Sequence, residues 1–310
     1  MKSNVSAKLL KIIPCQCQLG ENILWHDEQQ AIYWLDIESA LLYRYFVSTQ
    51  VSEKFNLPYR MGSFAFTPTD DHIIAAFAQG IARYNLQTTE LEWLSQPERD
   101  ISGNRFNDGR ADRQGRFWAG TMVEGGTVEN DALEADIEQA ASQHAALYCL
   151  DHQLNCHKTI DNLHISNGLC WNDSGDILYH ADSPTHNIYQ YDFCQQSASI
   201  INKRLFASTQ PDAFPDGSTV DAQNHLWNAQ WGSSKVVRYN SDGEIDFSIT
   251  LPVPQPSCVA IGGPNLNWLL VTSAKQGLSK STLSNAPLSG NVFIYQLTGV
   301  TGLTEPKCTV

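Results

Sequence analysis

Oxygen-bearing side chains recur along this 310-residue chain at positions that look equivalent, because each precedes a short apolar run. In chain order these positions are Glu21, Gly62 with Ser63, Asn107, Asn167, Asp216 and Ser257. Neighbouring members are about 40 to 60 residues apart, which is the spacing of structural repeats. Carboxylate and amide oxygens are the ligands that hard divalent cations such as calcium, magnesium and manganese prefer, with water completing the shell. If the fold gathers these positions, they predict a metal site.

A simpler interpretation exists for two of these positions. Asn167-Gly168 and Asp216-Gly217 are common turn dipeptides, and Asx side chains often hydrogen-bond to their own turn. A hairpin turn, however, would lie between two strands of a repeat, as Asp173-Ser174-Gly175 does. Asn167 and Asp216 instead stand at the entrance of their repeats, where Glu21 also stands. This shared register favours a common site.

The elements that must position these residues form an internal repeat. Each copy contains an apolar strand, a polar turn and an aromatic strand that ends near a tyrosine. The copies are 24–45, 64–84, 109–122 completed by 145–151, 169–191, 218–239, and 258–274 completed by 291–297. Six such units predict an all-β, six-bladed propeller with a central metal site, in which the first strand of each blade lines a channel. A β-sandwich is the alternative, since it has the same strand signals.

Three further expectations concern the organisation of the chain. A propeller must close, so a strand near Leu9 to Ile13 is expected to pair with the last blade. Residues 1–310 are expected to form one domain. An acidic insertion at about 123–144 interrupts the third blade, and its Ala and Glu content predicts a short helix capped near Asn130 or Asp131. This insertion is either a solvated excursion or a lid.

Composition excludes several classes of partner. With 33 acidic and 20 basic residues, the net charge of −13 disfavours nucleic acid and anionic membranes. Apolar stretches are strand-length, shorter than the roughly 20 residues of a membrane helix. The eight scattered cysteines and the lack of a secretory pattern indicate reduced thiols in the cytoplasm. We expect a cytoplasmic monomer or weak homodimer.

Five ordered motifs between about Leu19 and Ala274 resemble the family of regucalcin, or senescence marker protein, and the bacterial gluconolactonases. These motifs are LGENILWHDEQQAIYWLDI, NRFNDGRADRQGRFWAGTM, ISNGLCWNDSGDILYHADS, FPDGSTVDAQNHLWNA, and CVAIGG with VTSA. The resemblance implies that Glu21, Asn167 and Asp216 bind one divalent ion. Calcium is the first candidate, and zinc, magnesium, manganese and iron are the others.

The resemblance also implies an activity. Arg105, Asn107 and Glu124 are expected to contact substrate hydroxyls, and Asp216 is expected to act as the general base as well as a ligand. The reaction would be metal-dependent hydrolysis of a sugar lactone to its aldonic acid. The chain departs from the family in having Asn22-Ile23 where Gly-Pro usually follows the first glutamate, and in a longer loop after Glu124.

Other functions stay open at this point. A metal-dependent hydrolase of organophosphate esters can use the same scaffold, and a non-catalytic calcium-binding propeller would hold the ion without turnover. Serine nucleophiles are less favoured, because the chain has no GxSxG motif and Ser63, Ser218 and Ser257 have no neighbouring inner-strand histidine. His164, three residues before Asn167, is either a channel-lining or a structural histidine.

Overall fold

A computed structural model describes residues 5–69, 71–124 and 145–310. It contains 24 strands in six antiparallel four-stranded sheets, or blades. The first three blades are β2–β5 (Gly20–His26, Ala31–Asp36, Leu41–Phe46, Ser52–Asn56), β6–β9 (Met61–Phe66, His72–Phe77, Gly80–Asn85, Leu91–Ser95) and β10–β13 (Asn104–Ala111, Phe117–Val123, Ala145–Leu150, Cys156–Leu163). The fourth and fifth are β14–β17 (Ser166–Trp171, Ile177–Asp182, Asn187–Phe193, Ile200–Ser208) and β18–β21 (Phe214–Val220, Leu226–Trp231, Lys235–Tyr239, Ile245–Thr250). The sixth is β22–β24 with β1 (Pro256–Gly262, Trp268–Ser273, Val292–Thr298, Ser6–Ile13).

The six blades form a closed ring. Inner strands β2, β6, β10, β14, β18 and β22 contact one another in that order, and β22 contacts β2. Six hydrophobic clusters each join the facing surfaces of two neighbouring blades. The predicted propeller is therefore confirmed, and the sandwich alternative is wrong, because every sheet packs against two neighbours around an axis rather than face to face with one.

The ring is closed by the strand near the N-terminus. Strand β1 pairs antiparallel with β24, with Leu9 opposite Tyr295 and Ile13 opposite Val292. The predicted partner is therefore correct, although the strand begins earlier, at Ser6. Because β1 and β24 come from distant parts of the chain, their pairing fastens blade 6 without a covalent bond.

The predicted insertion at about 123–144 follows β11. Val123 completes β11 opposite Asn104, and Glu124 lies in a turn. The rest of the insertion, with its expected helix near Asn130 or Asp131, lies outside the described residues. Two short helices are described, a 3-10 turn at Ser183–Thr185 and α1 at Lys280–Asn285. In the described ranges no helix has the length and apolarity to cross a bilayer.

One end of the channel is crossed by the segment 301–309. Thr309 N donates to Gly115 O, and Cys308 N donates to Phe66 O at the end of β6. Glu305 forms an ion pair with Arg110 near the end of β10 at 3.4 Å. These contacts fall at the C-terminal ends of the inner strands, so the segment covers the end of the ring opposite to the predicted site.

Candidate metal and substrate site

Every inner strand contains an irregularity at the predicted site positions. The register shifts lie between Glu21 and Leu24, Met61 and Ser63, Phe106 and Gly109, Asn167 and Cys170, Pro215 and Ser218, and Pro256 and Val259. A bulge removes residues from the hydrogen-bond ladder and redirects their side chains. The six equivalent positions therefore lie in a ring of bulges inside the inner strands, not before those strands as the repeat suggested. The turn interpretation of Asn167-Gly168 and Asp216-Gly217 is wrong, because both dipeptides lie within strands.

Direct contacts connect the site residues of blades 3, 4 and 5. Asn107 Nδ2 donates to Asn167 Oδ1 at 3.0 Å and also to Ser166 O. Asn167 Nδ2 donates to Ser183 Oγ at 2.8 Å, and Ser183 Oγ donates to Pro215 O, immediately before Asp216. The Asn167 amide is therefore fixed through both of its polar atoms, and its oxygen keeps a second lone pair for a ligand.

A second chain of contacts leads from Asn107 to Glu124. Arg105 Nη1 donates to Asn107 Oδ1 at 2.8 Å, and Arg105 Nε lies 3.3 Å from Glu124 Oε1. Arg105 is only 4% exposed, and its buried Nε makes no hydrogen bond to the described residues. Such a buried N–H can donate to a ligand oxygen. The structure therefore brings Arg105, Asn107 and Glu124 together, and their contact with substrate hydroxyls stays what the resemblance implies.

Three acidic side chains dominate the electrostatics of the site. Burial raises the pKa of Glu21 to about 8, and the charge of Asp108 adds to the shift. Burial, followed by the charges of Glu21 and Asp108, also raises the pKa of Asp216 well above its usual range. The pKa of Asp108 is raised by burial, although Leu169 N donates to its carboxylate at 2.9 Å. Neighbouring carboxylates in a buried site repel one another, and a bound cation removes that repulsion.

The donor set fits a hard divalent cation. Glu21, Asp216 and Asn167 offer oxygen atoms only, which suits calcium or magnesium better than a thiol-seeking metal. Among the described residues, no three His, Cys, Asp or Glu side chains are grouped closely enough to hold an ion. A site of two carboxylates and one amide contains only two such residues. It therefore requires water or substrate oxygens to complete the coordination.

The structure gives a role to Asn22, the residue at which this chain departs from the family pattern. Its φ of 44° is in the left-handed region, which asparagine tolerates better than most residues. Its Nδ2 donates to Gly109 O at 3.1 Å, and its Oδ1 accepts from Phe64 N at 2.9 Å. Its backbone N–H donates to Glu21 Oε2 at 3.2 Å. Asn22 therefore connects the bulge that carries Glu21 to blades 2 and 3.

We expect Asn22→Gly to lower the free energy of unfolding by about 2 kcal/mol, because glycine accepts the positive φ but removes two buried hydrogen bonds. Asn202→Gly is the matched control, since Asn202 also has a positive φ of 53° but is exposed. Its unfolding free energy should change by less than about 0.5 kcal/mol. Equal losses in urea titrations of the two variants would show that the cross-blade bonds of Asn22 do not matter.

Two histidines of the described residues, His164 and His180, precede and follow Asn167 along the chain. His164 is exposed, and its Nδ1 lies 3.1 Å from Asp182 Oδ2. Ser166 Oγ lies 2.8 Å from His180 Nε2, which resembles a nucleophile and its base. Both residues are at most 1% exposed, and burial lowers the pKa of His180 to about 4. A substrate cannot reach this pair, so it is structural.

Three charged residues at the site were not identified from sequence. Asp108 directly follows Asn107 in the RFNDGRAD motif, and strand alternation would place the two side chains on opposite faces; the bulge is what brings both into the site. Arg60, in the loop before β6, donates to both oxygens of Glu124. Glu38, in the turn after β3, accepts from Arg60. No motif marks Arg60 or Glu38.

Comparison with known proteins agrees with this architecture. Residues 19–275 match the model of the SMP-30/Gluconolactonase/LRE-like region. This chain belongs to that family. An L-arabinolactonase of Azospirillum brasilense is 34% identical over 90% of this chain and 88% of its own length. Regucalcin of Oryctolagus cuniculus is 28% identical over 96% of this chain and 97% of its own length.

A solved structure supports the family fold. The calcium-binding protein regucalcin from Agrobacterium tumefaciens superposes with a TM-score of 0.86, covering 97% of this chain and 98% of its own. The two sequences are 24% identical, so this similarity supports the fold alone. The two chains therefore share the same fold.

Proposed function

We propose that this protein hydrolyses a sugar lactone to its aldonic acid, using one divalent ion held by Glu21, Asn167 and Asp216. The observation that carries the proposal is the convergence of carboxylates and a fixed amide oxygen in the bulge ring, beside the Arg105–Asn107–Glu124 chain. Membership of a family that includes an L-arabinolactonase supports the same activity. Calcium is the first candidate ion, with zinc, magnesium, manganese and iron as alternatives, and the substrate is a small sugar lactone.

The ion, when bound, would supply Lewis acidity toward the lactone carbonyl. Asp216 would accept the proton of the attacking water and return it to the ring oxygen when the ester C–O bond breaks. The ring oxygen thereby becomes a hydroxyl and the carbonyl carbon becomes the acid. Asn107 would hold Asn167 in place, while Arg105 and Glu124 would bind the hydroxyls that orient the sugar ring.

A panel of substrates tests the proposal. The purified chain, loaded with each metal in turn, should hydrolyse one or more of glucono-, galactono-, arabino- and xylono-lactone well above the uncatalysed rate. A phosphotriester should be a poor substrate. Preferential turnover of the phosphotriester would favour the organophosphate hydrolase. Metal binding without turnover of any lactone would favour the non-catalytic calcium-binding propeller.

Arg105 and Asn107 should respond differently to substitution. We expect Arg105→Ala to lower kcat/KM for hydroxylated lactones by about 10- to 100-fold, the effect of losing a charged hydrogen bond, with little change in metal affinity. Asn107→Ala should also weaken metal binding by about tenfold, since it donates to the predicted ligand Asn167. Kinetics and calorimetric metal titration measure both effects. Equal metal affinities in the two variants would contradict the role of Asn107 as a support for Asn167.

A further inference from the structure

The substrate side of the site contains an arginine that the proposed mechanism does not use. Arg60 Nη1 and Nη2 donate to Glu124 Oε1 and Oε2 at 2.7 and 2.8 Å. This is a two-point fork, in which a planar guanidinium fixes both the position and the orientation of a carboxylate. The main chain of Arg60 is fixed as well, because its carbonyl accepts from Ala78 N at 2.8 Å.

Charged side chains from three blades take part in this arrangement around the Arg60–Glu124 pair. Glu38 in blade 1 accepts from Arg60 Nη1 with both oxygens at 3.3 Å. Arg105 in blade 3 approaches Glu124 from its other side at 3.3 Å. Glu124 and Arg60 are 34% and 32% exposed, whereas Arg105 is almost fully buried. The fork therefore lies where buried site residues meet solvent, which is where a substrate ring would have to enter.

The fork leaves Glu124 with an unused acceptor position. Each carboxylate oxygen has two lone-pair directions, and Arg60 occupies one on each oxygen. Arg105 Nε also approaches Oε1, at 3.3 Å and without completing a hydrogen bond, so the acceptor direction that remains is on Oε2, in a carboxylate whose rotation the two guanidinium groups restrict. This acceptor and the unpaired Arg105 Nε–H donor beside it match two hydroxyl groups on neighbouring carbons of a sugar ring, one of which donates to Glu124 while the other accepts from Arg105. Both guanidinium groups already have carboxylate partners, so an additional anion on the substrate would find no free cation among the described residues at this fork.

We propose that Arg60 is a specificity-determining positioning residue, which holds Glu124 to select uncharged lactones that carry neighbouring hydroxyl groups. This inference rests on the proposed lactonase function. It assigns Arg60 no contact with the reacting atoms, since Arg60 acts through Glu124. Burial raises the pKa of Glu124, but the hydrogen bond from Arg60 and the charge of Arg105 outweigh burial. The pKa is therefore lowered, and the carboxylate stays a hydrogen-bond acceptor.

The test compares two lactones of the same ring size, glucono-1,5-lactone and the unsubstituted δ-valerolactone. Arg60→Gln should lower kcat/KM for the hydroxylated lactone by about tenfold, mainly through KM, while the value for δ-valerolactone stays within about twofold. Arg60→Lys keeps the charge but cannot form the fork, and it should not restore selectivity. Arg83→Gln is the matched control, because Arg83 is also in blade 2 and pairs with Glu92 at 2.7 Å away from the site. It should change neither rate.

A double-mutant cycle shows whether Arg60 acts through Glu124. In a Glu124→Gln background, Arg60→Gln should cause no further loss of selectivity. Equal losses for both lactones, additive effects in the cycle, or full rescue by lysine would overturn the inference and leave the lactonase proposal intact. If the wild-type protein hydrolyses neither lactone nor any of the panel with any metal, the proposed function fails and this inference fails with it.

Discussion

Asp216→Asn should reduce turnover at saturating metal by at least about 100-fold, because a general base contributes about 10²- to 10⁴-fold to rate. Asparagine keeps the size of the side chain and one oxygen that can coordinate, but it loses the charge and nearly all basicity. Asp216 is 6% exposed and lies in the bulge of β18, beside the Ser183–Pro215 contact that leads to Asn167. Metal binding should therefore weaken but persist.

The Asp216 variant is measured by kinetics across a metal titration, with circular dichroism to verify the fold. Asp212→Asn is a suitable control, since Asp212 is exposed in the loop before β18. It should have wild-type turnover. Wild-type turnover in Asp216→Asn itself would show that this residue is not the general base. The proton of the attacking water would then go to Glu21 or to another acceptor.

Glu21→Gln should weaken metal binding by at least about 100-fold, more than the 10- to 100-fold typical of losing a residue that only supports a ligand. The same variant should be more thermally stable than the wild type when both are free of metal. Burial and the neighbouring charge of Asp108 penalise the Glu21 carboxylate, and the only hydrogen bond described for that carboxylate comes from Asn22 N. Folding must either bury that charge or protonate the carboxyl, and Glu21→Gln removes this cost, which stabilises the fold at the expense of function.

Calorimetric metal titration and thermal unfolding in chelator measure these two effects. Glu38→Gln is the matched control, because Glu38 is an acidic residue near the site but outside the predicted ligand set. It should change metal affinity by less than about threefold, as expected for a partly exposed ion pair. A Glu21→Gln variant that binds metal like the wild type would remove Glu21 from the ligand set.

The propeller was predictable from sequence because its repeat is local. Each blade repeats the same strands and turns, so six copies can be counted without knowing any long-range contact. Closure was predictable for a related reason. The last blade of a closed ring needs a strand from the other end of the chain, and Leu9 to Ile13 is a mostly apolar stretch of strand length. The exact start of β1 at Ser6 was not predictable, because a bulge between Leu9 and Lys11 interrupts the alternation.

The repeat also indicated Glu21, Asn107, Asn167 and Asp216 as equivalent positions, which a ring brings toward its axis, and their role as a site stays a prediction. It did not predict the bulges, which arise from the backbone pairing of two strands. Asp108 was missed for that reason. Arg60 and Glu38 were missed because they come from loops of two different blades, and their meeting with Glu124 depends on how the loops pack rather than on any pattern along the chain.

One experiment decides whether this protein is a metal-dependent lactonase. The chain is stripped with chelator, and calcium, zinc or manganese is returned in steps while bound metal and the hydrolysis of a hydroxylated lactone are measured in the same samples. We predict that turnover is absent at zero metal and rises in proportion to occupancy until one ion is bound per chain. Full turnover in a chain shown to contain no metal would contradict the proposed site.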